Sequence, residues 1–263
     1  MASGSSGNCY FLGTASFGIL IDAGIGSRTI KKRLKDLGVP LEHIQAVFVT
    51  HDHVDHIKAV GSLGEKHFIP IYATQKVHIG IDKSYGVTQQ LITSKKFIEK
   101  GEEVSIRDFT IEAFSVSHDS TDSVGYTVSY NGKRFTVATD LGYICESAAM
   151  HIKTANFLII EANYDEQMLD NGYYPEHLKN RIRGQFGHMN NVDTAEFLAQ
   201  NYHEGLNYIY LCHLSRDNNS PEVAFKVVSS LLTQKGIGVG EDVILEVLER
   251  NNSGGIVVFD DYI

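Results

Sequence analysis

One stretch of seven residues, Thr50–His56 (THDHVDH), restricts what this chain can fold into more than any other. An apolar run of β-forming residues precedes it and predicts a buried strand. Side chains two residues apart in an extended segment point to the same side, so His51 and His53 can reach one cation. The turn that follows can direct Asp55 and His56 to a second cation. Placing so many imidazoles and carboxylates at a strand end would be costly without a cation, which argues against an ordinary polar loop.

Three further candidate ligands each follow a predicted strand: His118, Asp140 and His213. A single histidine after a strand is usually a hydrogen-bonded residue with no special role. Three such residues in this order after the His-rich stretch are far more specific. Mixed imidazole and carboxylate ligands suit Zn(II), with Mn(II) and Fe(II) also open. Two such ions can hold a hydroxide and stabilise both the attacking and the leaving oxygen of an ester, so we expect a hydrolase that uses a dinuclear metal-bound hydroxide.

Composition narrows the class of protein. The chain has 263 residues, of which 43% are hydrophobic, and we expect a single domain over 1–263 or a tightly fused pair of half-domains. The formal charge of −9 argues against broad attraction to nucleic acid but does not exclude a nucleic-acid substrate. The three cysteines form no C-x-x-C pair, and no signal peptide or membrane span is predicted. We therefore expect a cytoplasmic protein that does not bind membranes.

Strand and helix patterns alternate along the whole chain, which predicts a layered α/β architecture. Predicted strands lie at about 9–12, 18–22, 69–73, 110–116, 124–130, 133–139, 155–162, 207–212, 243–248 and 256–259. Predicted helices lie at about 27–37, 56–63, 74–83, 192–202 and 221–234. The segment 172–187 shows no strand period, and 163–187 is expected to be a loop. Asn131-Gly132 predicts a two-residue hairpin turn.

The H-x-H-x-D-H pattern of His51–His56 resembles the metallo-β-lactamase fold superfamily. This resemblance implies a four-layer αβ/βα sandwich with a dinuclear metal site at one edge of its two sheets. It also implies a ligand set: His51, His53 and His118 for the first ion, Asp55, His56 and His213 for the second, and Asp140 between them. Asp22 matches an early aspartate that orients the cluster without binding metal.

Further motifs are similar to those of the YycJ/WalJ family, over nearly the whole chain, and some are similar to tRNase Z-type nucleases. They are Ala2–Cys9, Thr50–His56, Ala138–Gly142, Glu161–Tyr164, Gly187-His188 and His213–Asn219. The resemblance implies a 5′-to-3′ DNA exonuclease linked to repair. In it, Asp55, Glu161 and His188 would be catalytic, with His188 donating a proton to the leaving oxygen while Glu161 supports it.

Two segments are candidates for substrate contacts. The N-terminal stretch, with Ser5, Ser6 and Asn8, is either a disordered end or a loop that donates to phosphate. The family resemblance favours the second reading. Arg181 and Arg183 either meet phosphates or belong to a solvated charged loop.

Two other functions stay open. The first is a hydrolase of small phosphodiesters or thioesters on the same scaffold, which the acidic charge slightly favours. The second is a metal-binding regulatory protein with little turnover, which has no need of an open dinuclear site. The sequence does not predict the native metal, the choice of DNA over RNA or the oligomeric state.

Overall fold

The computed structural model describes residues 1–248, 250 and 256–259. The chain separates into two units. The N-unit contains Met1–Ala113, Ser120–Ser123 and the described part of Arg250–Ile263. The C-unit contains Phe114–Asp119 and the described part of Val124–Glu249. A single domain over 1–263 stays a prediction.

The N-unit contains a five-stranded sheet. Its strands are β1 (Tyr10–Gly13), β2 (Gly18–Ile21), β3 (Ile44–Phe48), β4 (Ile71–Ala73) and β5 (Lys95–Phe97), in that spatial order. The first pair is antiparallel and the other neighbours are parallel. Helices α1 (Ser27–Asp36), α2 (Val54–Ile57), α3 (Val60–His67) and α4 (Gln75–Lys83) connect the parallel strands, as such strands require. The hairpin of β6 (Glu103–Ile106) and β7 (Phe109–Ser115) follows.

The core of the N-unit forms where helices pack on the sheet. Ile30 and Leu34 are one turn apart on α1, and both are fully buried with Val47 of β3 in one cluster. Lys32 and Lys35 lie on the exposed side of the same helix. The basic residues of α1 therefore belong to a solvated helix surface. The spacing of the apolar residues determines which face of the helix is buried.

The C-unit carries its strands in the spatial order β12-β11-β10-β9-β8. They are β8 (Val124–Tyr130), β9 (Lys133–Ala138), β10 (Phe157–Glu161), β11 (Tyr208–Cys212) and β12 (Ile244–Val247). The helices are α5 (Glu146–Ile152), α6 (Glu166–Asn171), α7 (Glu176–Arg183), α8 (Asn191–Asn201) and α9 (Pro221–Gln234). β8 and β9 are antiparallel around the predicted Asn131-Gly132 turn, and the other neighbours are parallel.

The central strand of the C-unit is β10, which pairs with β9 on one side and β11 on the other. Its apolar run is typical of a strand covered on both faces. Leu158 and Ile160 are fully buried in one cluster with residues of α8 and α9. The Ser220 side chain accepts a hydrogen bond from the Val223 N–H and so caps α9, with Pro221 in its first turn. These contacts fix the strand ends that carry the site.

Most predicted elements are observed, but three predictions are wrong in detail and three elements were not predicted. The strand expected at 256–259 is not formed: these four residues have no regular structure, and no ladder pairs them with another described residue. The helix expected over 56–63 is two helices, α2 and α3, separated by Lys58 and Ala59. The loop expected over 163–187 contains α6 and α7, whose short amphipathic faces bury Leu169 and Ile182. The strands β5 and β6 and the helix α5 were not predicted; two of the three residues of β5 are lysines, which hide it in the sequence.

Among the described helices, none combines the length and the apolar composition that crossing a bilayer demands.

Candidate metal centre

The N-unit gathers three histidines just after β3. His51 and His56 are buried, and their ring centroids lie 3.9 Å apart. The His53 ring lies 4.7 Å from that of His51. Asp55 Oδ2 lies 3.7 Å from His56 Nε2. The short helix α2 begins directly after His53, so the backbone turns and brings Asp55 and His56 back to the strand end.

A buried carboxylate, Asp22, organises this histidine cluster. It accepts hydrogen bonds from the Thr50 N–H at 2.8 Å, the Thr50 hydroxyl at 2.9 Å and His56 Nδ1 at 2.7 Å. Burial raises the pKa of Asp22, and the facing His56 and Thr50 groups offset this only in part. The Thr50 hydroxyl also lies 3.0 Å from His51 Nδ1. Two of the three histidines are thereby held through their Nδ1 atoms.

The N-terminal segment lies against the same cluster. Gly4 to Gly7 form a tight turn closed by a 2.8 Å bond from the Gly7 N–H to the Gly4 carbonyl. Ser5 and Ser6 at its tip are exposed. Asn8 is fully buried: its backbone N–H donates to the Asp55 carbonyl at 2.7 Å, and its Nδ2 lies 2.9 Å from His56 Nε2. The segment is ordered and in contact with the predicted ligands.

Asp52 is the one acidic residue of the stretch to which the sequence assigned no role. Its carboxylate accepts hydrogen bonds from the Thr121 N–H and hydroxyl. It also packs against Gly80 of α4, where an added Cβ would lie 1.9 Å from Asp52 Oδ2. Asp52 therefore anchors the stretch to its surroundings. Only the contacts in the folded chain reveal this, because Thr121 is distant in sequence.

The C-unit brings four of the predicted site residues together. Asp140, Glu161, His188 and His213 each offer a ligand atom, and these atoms lie within 4.8 Å of one another. Glu161 is fully buried, and its Oε1 accepts hydrogen bonds from His188 Nδ1 at 2.7 Å and from His213 Nδ1 at 2.8 Å. Burial acts to raise the pKa of Glu161, but the two facing imidazoles outweigh it and hold the pKa below its usual value.

His118 lies beside this cluster. Its Nδ1 donates to the Gly187 carbonyl at 3.1 Å, and its Nε2 lies 3.7 Å from Asp140 Oδ1. The His118 and His188 ring centroids are 5.1 Å apart. The loop that carries His188 therefore also orients His118, through the backbone of the preceding residue.

An asparagine network supports His213, and sequence reasoning did not assign it. Asn163 Nδ2 donates to the His213 carbonyl at 2.7 Å. The Asn219 amide donates to the Ala162 and Asn163 carbonyls and to Asn191 Oδ1. Ser220, directly after Asn219, is the cap of α9. The network holds the loop after β11 against the end of β10.

Three of these polar residues have a left-handed backbone. Asp22, Asp140 and His213 have φ values of 61°, 58° and 54°. Each follows a strand of its sheet, where the chain turns sharply. This conformation is unfavourable for residues other than glycine and is concentrated at functional sites.

The donor set fits a divalent metal. A histidine that binds metal usually donates its other ring N–H to a carboxylate, a carbonyl or another polar group. His56 and His213 donate from Nδ1 to carboxylates, His118 donates to a carbonyl, and the Thr50 hydroxyl holds His51 in the same way. These bonds leave the Nε2 atoms as the metal-facing nitrogens; at His56 the Asn8 amide now donates to Nε2 at 2.9 Å, a contact that a bound metal would replace. Within each unit the residues present are therefore those a divalent cation needs.

The two arginines expected to contact substrate make ion pairs. Arg181 Nε donates to Asp119 Oδ2 at 2.7 Å, next to His118. Arg183 Nε donates to Glu166 Oε1 at 2.5 Å and its Nη2 to Asp170. Their charges are largely balanced by these partners.

Known proteins resemble this chain in sequence and in fold. A family model described as the beta-lactamase superfamily domain matches residues 18–209. The chain is 36% identical to exodeoxyribonuclease YycJ of Bacillus anthracis, covering 92% of this chain and 90% of the relative. It is 35% identical, with the same coverage, to exodeoxyribonuclease WalJ of Streptococcus pneumoniae. The solved metallo-β-lactamase fold protein YhfI from Bacillus subtilis superposes with a TM-score of 0.69 at 17% identity, covering 95% of this chain and 94% of YhfI.

The family match and the solved neighbour confirm the predicted fold class. Because the sequence identity to the solved neighbour is low, that similarity supports the fold and nothing more. The identity to the two curated relatives extends over nearly the whole chain. The protein thus has the metallo-β-lactamase fold and belongs to the YycJ/WalJ family.

Proposed function

We propose that the protein is a metal-dependent nuclease that hydrolyses DNA from an end. The observation that carries this proposal is the His188–Glu161 pair, with 2.7 Å between Nδ1 and Oε1, in a chain whose relatives are named exodeoxyribonucleases. The His188 side chain is 19% exposed, against 4% for His213. Of the two imidazoles held by Glu161, His188 is therefore the one that a substrate can reach.

The proposed metal ligands are those that the family resemblance implies: His51, His53, Asp55, His56, His118, Asp140 and His213. Zn(II) or Mn(II) suits this set, and Fe(II) is the third choice. When bound, two such ions supply positive charge for the phosphate oxygens and lower the pKa of a water. Asp22 and Thr50 orient the N-unit histidines, and Asn163 and Glu161 orient His213.

The residues of the C-unit supply the proton of the reaction. A water oxygen bonds to phosphorus and releases one proton to solvent, the bond from phosphorus to the leaving oxygen breaks, and His188 Nε2 gives its proton to that oxygen. Glu161 holds the imidazole through Nδ1, so Nε2 is the atom that faces substrate. Such general acid catalysis contributes about 10²–10⁴-fold to a rate. Asp55 completes the proposed catalytic residues, through its carboxylate beside His56.

The proposal extends to polarity, substrate contacts and location. We place the cleavage in the 5′-to-3′ direction, in DNA repair. Ser5, Ser6 and Asn8 are proposed to contact phosphate, since the turn that carries them adjoins His56. Arg181 and Arg183 would contact phosphate only by leaving their acidic partners.

All three cysteines are free thiols, which is consistent with the reducing cytosol.

The test is an assay of end-labelled single- and double-stranded DNA and RNA with Zn(II) or Mn(II). We expect metal-dependent shortening of DNA from one end. His188→Ala should slow DNA cleavage by about 10²–10⁴-fold. It should slow hydrolysis of bis-p-nitrophenyl phosphate much less, because p-nitrophenolate leaves without a proton. His177→Ala, an exposed histidine on α7, is the matched control and should change neither rate.

The same assay separates the alternatives. Hydrolysis of bis-p-nitrophenyl phosphate without cleavage of any strand would indicate a small-molecule phosphodiesterase, which the net charge of −9 favours. Tight metal binding with no hydrolysis of either substrate would indicate a regulatory protein. An unchanged metal content and activity in His51→Ala and Asp140→Ala would refute the proposed ligand set.

A further inference from the structure

Two large aromatic side chains of the C-unit are exposed in the loops that carry Asp140, a proposed metal ligand, and His188, the proposed proton donor. Tyr143 is 48% exposed and Phe186 is 60% exposed. Single exposed apolar residues are common and need no explanation. These two differ by their place in the chain, because Tyr143 lies three residues after Asp140 and Phe186 lies two residues before His188.

The loops that carry the two rings pack directly on each other. A Cβ added to Gly142 would lie 2.1 Å from the Gln185 carbonyl oxygen and 2.7 Å from the Phe186 nitrogen. Only glycine allows the two backbones to approach so closely. Tyr143 and Phe186 therefore project from backbone segments that contact each other, although the two residues are far apart in the sequence.

A third loop joins these two segments to His118. The Ser117 carbonyl accepts from the Gly142 N–H at 2.8 Å, and the Ser117 hydroxyl donates to the Gln185 carbonyl at 2.7 Å. The Asp119 N–H donates to the Phe186 carbonyl at 3.1 Å. The aromatic residues are thus fixed to the same backbone framework as His118 and His188.

The charge of the surrounding residues limits what else can hold a nucleic-acid strand here. Arg181 is paired with Asp119 of the third loop, and the chain as a whole carries −9. The charge of Arg181 is therefore already balanced, and the net charge of the chain does not favour the attraction of phosphates. Stacking of bases on aromatic rings needs no net charge and tolerates every base, as an enzyme that removes successive nucleotides requires.

From these contacts, and resting on the proposed nuclease function, we propose that Tyr143 and Phe186 form a stacking platform for the bases at the end of the bound DNA strand. The platform holds the terminal nucleotides unstacked from their neighbours and so positions the adjoining phosphodiester. The ligand of the platform is an unpaired DNA end. The protein should therefore prefer single-stranded or frayed ends over fully paired ends as substrates.

Equilibrium binding of a single strand with 2-aminopurine at its end tests the platform, because stacking quenches the fluorescence of this base. The protein is loaded with metal, and phosphorothioate linkages in the strand slow its cleavage during the measurement. We expect Phe186→Ala and Tyr143→Ala each to raise Kd about tenfold. Phe186→Tyr and Tyr143→Phe, which keep a ring, should restore binding to within about twofold of the wild type.

Phe225→Ala is the matched control, because Phe225 is a 40% exposed phenylalanine of the same unit that lies on α9. It should leave Kd unchanged. Measured by competition with the labelled strand, a strand with abasic sites at its terminal positions should bind the wild type as weakly as the intact strand binds the double alanine variant. Wild-type binding by that double variant, or equal weakening by Phe225→Ala, would overturn the platform.

Failure of the platform and failure of the nuclease function give different results. Ring-dependent binding of the strand without any cleavage would contradict the nuclease function and support the platform. Cleavage of DNA with a KM that is the same in all variants would support the nuclease function and overturn the platform. A wild type that binds no strand would overturn the platform directly.

Discussion

At the scale of single residues, the Thr50 hydroxyl contacts three side chains of the proposed metal centre. It donates to Asp22 and lies within hydrogen-bonding distance of both His51 Nδ1 and His56 Nδ1, at 3.0 and 3.2 Å. Thr50→Val keeps the shape of the side chain and removes these contacts. We expect metal affinity to fall about 10–100-fold, as for other residues that orient metal ligands. Competition with a chelator measures this, and Thr50→Ser should keep most of the affinity. Equal affinity in Thr50→Val and wild type would contradict the assigned role.

The ligand identities could be read from the sequence, but the residues that support them could not. His51, His53 and His56 lie close together in the chain, so their spacing predicts their proximity. Asn163, Asn191 and Asn219 are separated by tens of residues, and nothing in their spacing indicates that the Asn219 amide donates to the Asn163 backbone carbonyl and to the Asn191 side chain. Such contacts depend on the packing of whole loops, which local sequence patterns do not report.

At the scale of elements, one glutamate of α3 fastens the segment that precedes β5. Glu65 accepts hydrogen bonds from the backbone N–H groups of Ile92, Thr93 and Ser94 and from the Ser94 hydroxyl. The Ser94 hydroxyl and these amides lower the pKa of Glu65 from 4.5 to about 2. The segment is therefore held by the charged form of one side chain.

This contact predicts a pH dependence of stability. The pKa of Glu65 is lower in the folded chain, so its contribution is complete above the unfolded pKa of 4.5 and is lost as the pH falls towards about 2. Glu65→Gln should lower Tm at pH 7, and the difference from wild type should shrink on acidification over this range. Thermal melts between pH 7 and 2.5 measure it. A difference that stays constant across this range would show that the carboxylate charge is not involved.

Elements with a strong hydrophobic period were predicted with nearly their observed bounds, as α9 and β8 show. The failures are short elements. β5 has three residues and α6 has six, too few to display a period. Their structure follows from neighbours: β5 exists because it pairs with β4, and α6 begins where the Asp165 side chain accepts from the Met168 N–H.

At the scale of the whole molecule, the proposed metal ions should stabilise the folded chain, because a preformed site does not exist in the unfolded chain. Metal at about a hundred times its Kd adds about 2.7 kcal/mol to the free energy of unfolding. Adding Zn(II) or Mn(II) to the chelated protein should therefore raise Tm in a concentration-dependent way. His51→Ala and Asp140→Ala should reduce this rise, and His177→Ala should not. A Tm that is insensitive to metal in the wild type would contradict a metal-binding function.

The left-handed backbone of Asp22, Asp140 and His213 has a consequence for how this protein can change. Each such conformation costs about 1–3 kcal/mol of folding stability. These three positions nevertheless hold polar residues, because the proposed site needs their side chains. Stability and activity are therefore opposed at these positions. Selection for heat resistance alone would replace them with glycine or asparagine, which accept this backbone more readily, and would yield a robust but inactive protein. A laboratory evolution experiment on this family should score catalysis in every round.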